Sequence, residues 1–203
     1  MSSKEHILQQ LRRNTRETYD KPHIDIKGIQ YDDPVAQFIT MATTAGGAQL
    51  VEIHEGDDLN EKIRQAYPEA KVISSNLPGI KADRNPDTVE RAQDLDGTDV
   101  GVVQGQLGVA ENACIWVPQT MKERAICFIS ENLVILVSRR HIVNNMHEAY
   151  QQIRFPGQPD SLDPQHDYGF GTFISGPSKT ADIEQSLVYG AQAARGVTIF
   201  LTD

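Results

Sequence analysis

The segment at residues 176–184 contains the side chains and backbone donors best suited to bind an anion. Ser178, Lys179 and Thr180 contribute two hydroxyl groups and one ammonium group. The segment follows a predicted strand and precedes a predicted helix at 181–189. At a strand-to-helix turn the first helical amides lack intrahelical partners, and the helix dipole attracts negative charge. The turn therefore predicts a site for a carboxylate or phosphate.

The same segment also has a purely structural interpretation. Ser178 or Thr180 would cap the predicted helix, a role worth about 1 kcal/mol, while Asp182 would complement the helix dipole. Residue types alone leave both interpretations open. The residues of this segment that we predict to bind a ligand are Gly176, Pro177, Ser178, Lys179, Thr180 and Asp182.

Glu111 and Asn112 form a second candidate, because they stand between two apolar runs at 107–110 and 113–117. A carboxylate in this position either faces solvent at a hairpin or lies in an apolar cleft, an environment typical of catalytic carboxylates. In the second case Glu111 would be the catalytic residue and Asn112 a ligand-binding neighbour.

The sequence does not match several common catalytic and nucleotide-binding motifs. Residues 171–180 carry glycines five apart, but Pro177 stands where a P-loop requires lysine. Gly101, Gly105 and Gly108 do not follow the GxGxxG spacing of dinucleotide-binding folds. The sequence has no GxSxG or HExxH motif. We therefore expect neither ATP hydrolysis nor hydride transfer from a nicotinamide bound to this chain.

Composition limits the partners. The 203 residues carry 28 acidic and 19 basic side chains, a net charge of -9, which disfavours nucleic acid and anionic lipid as main partners. Cys114 and Cys127 are the two cysteines, and no closely spaced Cys/His pairs occur, so we predict no metal site and no cofactor on this chain. Net charge does not exclude a local site for a small anion.

The N-terminal residues alternate in charge, and no apolar run approaches the ~20 residues of a membrane helix. We therefore expect a cytoplasmic protein without a membrane span.

Apolar periodicity and turn residues predict the order of helices and strands. Ile7, Leu8 and Leu11 give the first helix an apolar stripe. Alternation of strands and helices with short turns predicts a parallel sheet covered by helices. The predicted helices lie at 4–16, 33–45, 57–67, 87–94, 142–153 and 181–189, and the predicted strands at 48–53, 71–74, 100–103, 171–174 and 197–201.

Apolar runs at 107–110, 113–117, 126–129 and 133–137 interrupt this alternation, and their short separations favour antiparallel hairpins. The predicted fold class is α/β, a sheet flanked by helices with an antiparallel β insert and an N-terminal helix. We expect residues 1–30 to form that helix and a connector, and residues 31–203 to form the α/β domain.

These segments together resemble the LUD-domain family of the lactate utilization protein C (LutC) type. Residues 176–184 read Gly-Pro-Ser-Lys-Thr-Ala-Asp-Ile-Glu and are similar to the family signature GPS(R/K)TADIE. Ala110 and Glu111 are similar to the start of its Ala-Glu-Thr-Gly-Thr segment, and Arg124 stands where the family has an arginine that we expect to bind ligand. The resemblance covers about residues 35–203.

The resemblance implies a fold similar to the NagB/RpiA/CoA-transferase group. It also implies a role in cytoplasmic oxidation of L-lactate to pyruvate, beside two partner subunits that carry iron-sulfur clusters. This sequence departs from the family at Asn112-Ala113-Cys114, at Leu133 in place of histidine, and at Gln192-Ala193-Ala194 in place of His-Gly-Pro. Each departure removes a polar or turn-forming group.

Three functional hypotheses follow. The first is a non-redox subunit of a lactate-oxidising assembly that binds a small anion at the 176–180 turn, with Glu111 facing the same cleft. The second is an independent enzyme, CoA-transferase-like or sugar-phosphate-isomerase-like, with Glu111 as nucleophile or base. The third is a small-anion sensor without catalysis.

Overall fold

The computed structural model describes residues 2–15, 17, 19–20, 22, 26–153, 169–183 and 185–203. In chain order these residues form α1 (Ser3–Asn14), α2 (Pro34–Met41), a π-helical turn (Ala42–Gly46), β1 (Gln49–Ile53), α3 (Leu59–Ala66), β2 (Ile73–Ser74), a 3-10 turn (Ala92–Leu95), β3 (Val100–Gln104), β4 (Leu107–Val109), β5 (Ile115–Pro118), α4 (Ile126–Ile129), β6 (Asn132–Ser138), a 3-10 turn (Arg139–His141), β7 (Ile142–Val143), α5 (Met146–Gln152), β8 (Gly171–Ile174), β9 (Lys179–Thr180), β10 (Val188–Tyr189) and β11 (Gly196–Thr202).

The central sheet has five parallel strands in the order β1-β11-β6-β3-β2. Its two middle strands, β6 and β11, are buried along almost their whole length, which is typical of parallel strands covered on both faces. The predicted parallel sheet flanked by helices is confirmed. No helix among the described residues is long and apolar enough to cross a membrane.

Alternate residues of β6 point to the two faces of this sheet. Leu133 and Ile135 belong to one apolar cluster, which includes Phe38 of α2. Val134 belongs to another, which includes Ile63 of α3. The sheet is therefore the middle layer, and the larger cluster lies on the side of α2 and α4.

A second sheet of four strands covers the larger cluster in the order β7-β4-β5-β8. Its β4–β5 and β5–β8 pairs are antiparallel, whereas β4 and β7 are parallel. The antiparallel insert expected from the sequence is confirmed. The short strands β9 and β10 form a separate antiparallel pair.

Two predictions about the insert were wrong. The run at 126–129 is the helix α4, which buries Ile126 and Cys127 against the larger cluster. The run at 133–137 lies in β6 between two parallel neighbours rather than in a hairpin. Both runs are too short and too uniformly apolar for periodicity to distinguish a strand from a helix.

Some helices also begin or end at residues other than those predicted. The predicted helix at 142–153 begins only at Met146, because residues 142–143 pair with β4 as strand β7. The helical turn expected at 87–94 is the 3-10 turn at 92–95. Residues 154–168, which follow the predicted helix at 142–153, and residue Glu184 of the signature lie outside the described residues.

The N-terminal helix α1 begins at a capping box formed by Ser2 and Glu5 and buries none of its residues. The connector that follows reaches the α/β domain near α5. The Asn145 Nδ2 group donates to Ile29 O at 2.8 Å, and Tyr31 N donates to Asn144 Oδ1 at 2.9 Å. Gly28 lies so close to Asn145 that a Cβ atom at residue 28 would overlap with that side chain.

Asn145 therefore has two roles, since its Oδ1 also accepts from Glu148 N and caps α5. We expect Asn145→Ala to lower the free energy of unfolding by about 2 kcal/mol, one part from the cap and one from the hydrogen bond to the connector. Asn145→Ser retains a hydroxyl group that can cap α5 but is too short to donate to Ile29 O. It should therefore lower the free energy of unfolding by about half as much as Asn145→Ala. Urea denaturation measures both values, and equal losses would contradict the contribution of the connector.

Candidate functional site

Residues 176–180, here called the signature loop, lie against the end of the π-helical turn. Gly176 has a φ of 71°, and a Cβ atom there would overlap with the carbonyl oxygen of Gly46. Pro177 is buried next to Gly47. Glycine at 176 thus serves both the left-handed backbone conformation and the close approach of two backbone segments.

Lys179 contacts the same end of the π-helical turn. Its Nζ donates to Ala45 O at 2.7 Å and to Gly46 O at 2.6 Å. The last carbonyls of a helix lack intrahelical donors and carry partial negative charge, so an ammonium group stabilises them. Two of the three N–H groups of the lysine side chain are thereby used. The positive charge is fixed at this position by the backbone it contacts.

The helix predicted at 181–189 is absent from the described part of that segment. Residues 179–180 pair instead with residues 188–189 as β9 and β10. Ile183 and Leu187, which stand four residues apart within the predicted helix, are exposed and bury no apolar face. The proposed helix dipole and unpaired first-turn amides are therefore a wrong prediction.

Backbone donors and acceptors of the loop are partly used within the protein. Ser178 N donates to Ala194 O at 2.9 Å, and Gly190 N donates to Ser178 O at 3.0 Å. Asp182 N donates to the hydroxyl of Thr180 at 3.3 Å. The loop therefore presents side chains rather than a row of free amides to a ligand.

A cavity of about 310 Å³ lies beside this loop. Gly176, Ser178 and Lys179 line it, so the structure brings three of the predicted ligand-binding residues to one wall. The other described lining residues are Cys127, Phe128, Leu133, Thr172, Phe173, Ile174, Ser175, Gln192, Ala193, Ala194 and Val197. Some of the positions at which the sequence departs from the resembled family, 133 and 192–194, therefore line the same cavity as its signature, whereas residues 112–114 are not among the described lining residues.

Glu111 is not among the described residues that line the cavity. Its Oε2 accepts from Met146 N at 3.3 Å, at the N-terminus of α5. An acidic side chain there complements the helix dipole. This contact gives Glu111 a structural role, and its catalytic role stays a prediction.

The Asn112 segment nevertheless contacts the signature segment. Ser175 Oγ donates to Asn112 O at 2.8 Å, while Asn112 Oδ1 accepts from Cys114 N. The two sequence candidates thus meet next to the π-helical turn, because Ala113 and Gly176 both lie beside Gly46.

Arg124, Thr180 and Asp182 are not among the described lining residues either. The guanidinium of Arg124 lies 4.6 Å from the centre of the Phe170 ring, a cation–π contact. Ligand binding by these three residues stays a prediction.

Sequence reasoning missed Thr172, Ser175 and Cys127 as lining residues. Thr172 lies in the predicted strand at 171–174 and Ser175 directly follows it, so closer attention to the polar residues there would have found both. Burial raises the pKa of Cys127 to about 12. Burial also raises the pKa of Cys114, an effect opposed by its hydrogen bond with Ser175. Neither thiol is an activated nucleophile near neutral pH.

The described residues contain no group of three or more His, Cys, Asp or Glu side chains that could hold a metal ion.

The close approach at Gly176 can be tested against a glycine with similar backbone geometry and open surroundings. Gly79 has a φ of 86° and no neighbouring atom where its Cβ would lie. Gly79→Ala should cost about 1–2 kcal/mol of unfolding free energy through the left-handed backbone alone. Gly176→Ala should cost about 3 kcal/mol or more, because the loop must also move away from Gly46. Chemical denaturation measures both, and similar losses would argue against the tight contact.

Known proteins resemble this chain in sequence and fold. Residues 79–202 match the family described as LUD domain. Lactate utilization protein C of Anoxybacillus flavithermus (strain DSM 21510 / WK1) is 28% identical over 124 residues, which cover 60% of this chain and 51% of that protein. Lactate utilization protein C of Exiguobacterium sp. (strain ATCC BAA-1283 / AT1b) is 24% identical over 202 residues, which cover 92% of this chain and 85% of that protein.

The chain thus spans about half the length of the first of these relatives and most of the second. A crystal structure of a DUF162 family protein from Deinococcus radiodurans aligns with a TM-score of 0.59 and 13% identity, covering 87% of this chain and 100% of that one. At this identity the likeness shows a shared fold. The LUD-domain match includes every described residue of the cavity wall and more than half of the sequence, so this chain belongs to the LUD-domain family.

Proposed function

We propose that this chain is a non-redox component of a lactate utilization system, and that its 310 Å³ cavity binds a small anion. The names of the two relatives support the physiological role. The observation that carries the binding proposal is the position of Gly176, Ser178 and Lys179 on one cavity wall. An apolar pocket with a few convergent polar groups is typical of a small-molecule site.

The chemistry of the wall favours a carboxylate. Lys179 and Ser178 both line the cavity, and in this proposal the Lys179 ammonium supplies positive charge and the Ser178 hydroxyl a neutral donor. Hydrogen bonds from a charged donor to a carboxylate are about twice as strong as neutral ones. Leu133, Ala194 and Val197 supply an apolar surface for the carbon chain of such a ligand. The volume is at the lower end for ligand pockets, which favours a small metabolite.

Redox chemistry is proposed to lie on partner subunits in the cytoplasm. Cys114 and Cys127 are the two cysteines of the sequence, too few for an iron-sulfur cluster with four thiolate ligands. Electron transfer from lactate would then need iron-sulfur subunits that associate with this chain.

The second candidate function is that of a non-catalytic anion sensor, and the residues that line the cavity favour it. The described lining residues contain neither histidine nor a carboxylate side chain. A ligand held there would have Lys179 and Cys127 as its titratable neighbours. Ligand-dependent thermal stabilisation without turnover, in the presence of every partner, would favour the sensor over the subunit.

Isothermal titration calorimetry with L-lactate tests the binding proposal. Lys179→Gln should weaken lactate binding by about 10- to 100-fold, the effect of losing one charge-assisted hydrogen bond. Lys81→Gln is the matched control, because Lys81 is exposed and does not line the cavity. Lys179→Arg retains the charge and should keep most of the affinity. Unchanged binding by Lys179→Gln would remove the loop from the site.

Purification of the tagged chain from its native host tests the assembly proposal. We expect iron-sulfur proteins to co-purify, with iron and acid-labile sulfide in the eluate. A strain that lacks the chain should grow poorly on L-lactate and normally on glucose. A chain that purifies alone and whose deletion leaves lactate growth unchanged would contradict the assignment.

A further inference from the structure

A second cavity of about 400 Å³ adjoins the first. Phe128, Gln192 and Ala193 line both cavities, so the two cavities are adjacent. The second cavity also contains Arg195, Glu131 and Gly190 in its wall. It thus continues from the lysine-containing cavity toward another basic residue.

The backbone places the two basic residues on adjoining segments. Ser178 N donates to Ala194 O at 2.9 Å, and Lys179 and Arg195 directly follow these two residues. Gly190, whose N donates to Ser178 O, lies so close to Arg195 that a Cβ atom there would be 2.9 Å from the Arg195 Cβ. These hydrogen bonds therefore place residues 179 and 195 on adjacent backbone segments.

Arg195 is available to a ligand. Its side chain is 70% exposed, and its Nη1 lies 3.5 Å from Oε1 of Glu131, which is itself 55% exposed. An ion pair this exposed contributes little and exchanges readily with other anions. The planar guanidinium matches the geometry of carboxylate and phosphate groups. Glu131 remains beside the site and opposes, without cancelling, its attraction for anions.

We infer that the two cavities form one site for an elongated ligand with two anionic groups, such as a short dicarboxylic or phosphorylated hydroxy acid. One anionic group lies in the first cavity with Lys179 and Ser178, and the other contacts Arg195 in the second. The carbon chain passes Gln192, whose amide is exposed between them and can hydrogen-bond a hydroxyl group. This inference rests on the proposed anion site and specifies its ligand class.

A site that recognises a single carboxylate would bind lactate and a ligand with two anionic groups with similar affinity, apart from general electrostatic attraction. A site that includes Lys179 in one cavity and Arg195 in the adjacent cavity instead favours a ligand that reaches both residues. The contribution of Arg195 should then appear only with the longer ligand.

Calorimetric titration of the full chain with L-lactate, L-malate and 3-phosphoglycerate at equal ionic strength tests this inference. At least one dianion should bind about 10-fold or more tightly than L-lactate. Arg195→Gln should reduce that affinity to about the lactate level and change lactate binding less than about twofold. Arg195→Lys should retain part of the preference. A preference for L-malate or for 3-phosphoglycerate identifies the second group as carboxylate or phosphate.

Arg91→Gln is the matched control, because Arg91 is also an exposed arginine paired with one acidic residue, Asp94, and lines neither cavity. It should leave all affinities unchanged, and thermal melting should show that each variant is folded. If lactate binds but dianions bind no more tightly, or if Arg195→Gln affects all ligands equally, the two-anion site is wrong while the proposed anion site stands. If no anion binds, both the two-anion site and the proposed anion site are contradicted.

Discussion

The contact between the signature loop and the end of the π-helical turn is the interaction on which the site depends. The turn ends in carbonyl groups that have no helical donors, and Lys179 supplies two donors to them. Gly176 permits this approach because a larger residue would overlap with Gly46. The loop, the lysine charge and one wall of the cavity are therefore positioned by the same few atoms. Without this contact the cavity would have no fixed cationic wall.

The structural use of Lys179 is compatible with its proposed use in binding. Backbone carbonyls are dipoles without net charge, so they orient the ammonium group but do not neutralise it. A ligand carboxylate can then interact with a cation whose side-chain conformation is already restricted, which lowers the entropy lost on binding. The same contact that stabilises the helix end thus prepares the site.

Sequence patterns predicted local features better than long-range pairing. The start of the predicted helix at 33–45 was correct, and it depends on a local contact, because Asp33 Oδ1 accepts from Ala36 N and caps α2. The signature loop was also recognised. Its surroundings were not, because the pairing of β9 with β10 and the contact of Lys179 with Gly46 join residues distant in sequence. The spacing of Ile183 and Leu187 matched a helix, but no apolar surface was available to cover that face, and both are exposed.

The positions at which the sequence departs from the resembled family also show that sequence patterns do not predict contacts between distant segments. Leu133 begins the buried part of β6, and residues 192–194 precede β11; the sequence does not show that they meet. The parallel register pairs Val197 with Leu133, which brings the start of both strands to one side of the cavity. These departures therefore lie around one cavity, where leucine and glutamine stand in place of histidine and two alanines stand in place of Gly-Pro. The described residues around the cavity include neither histidine nor a carboxylate side chain, and burial raises the pKa of the Cys127 thiol. If the cavity binds an anion as proposed, this composition favours recognition of the ligand over proton transfer to or from it.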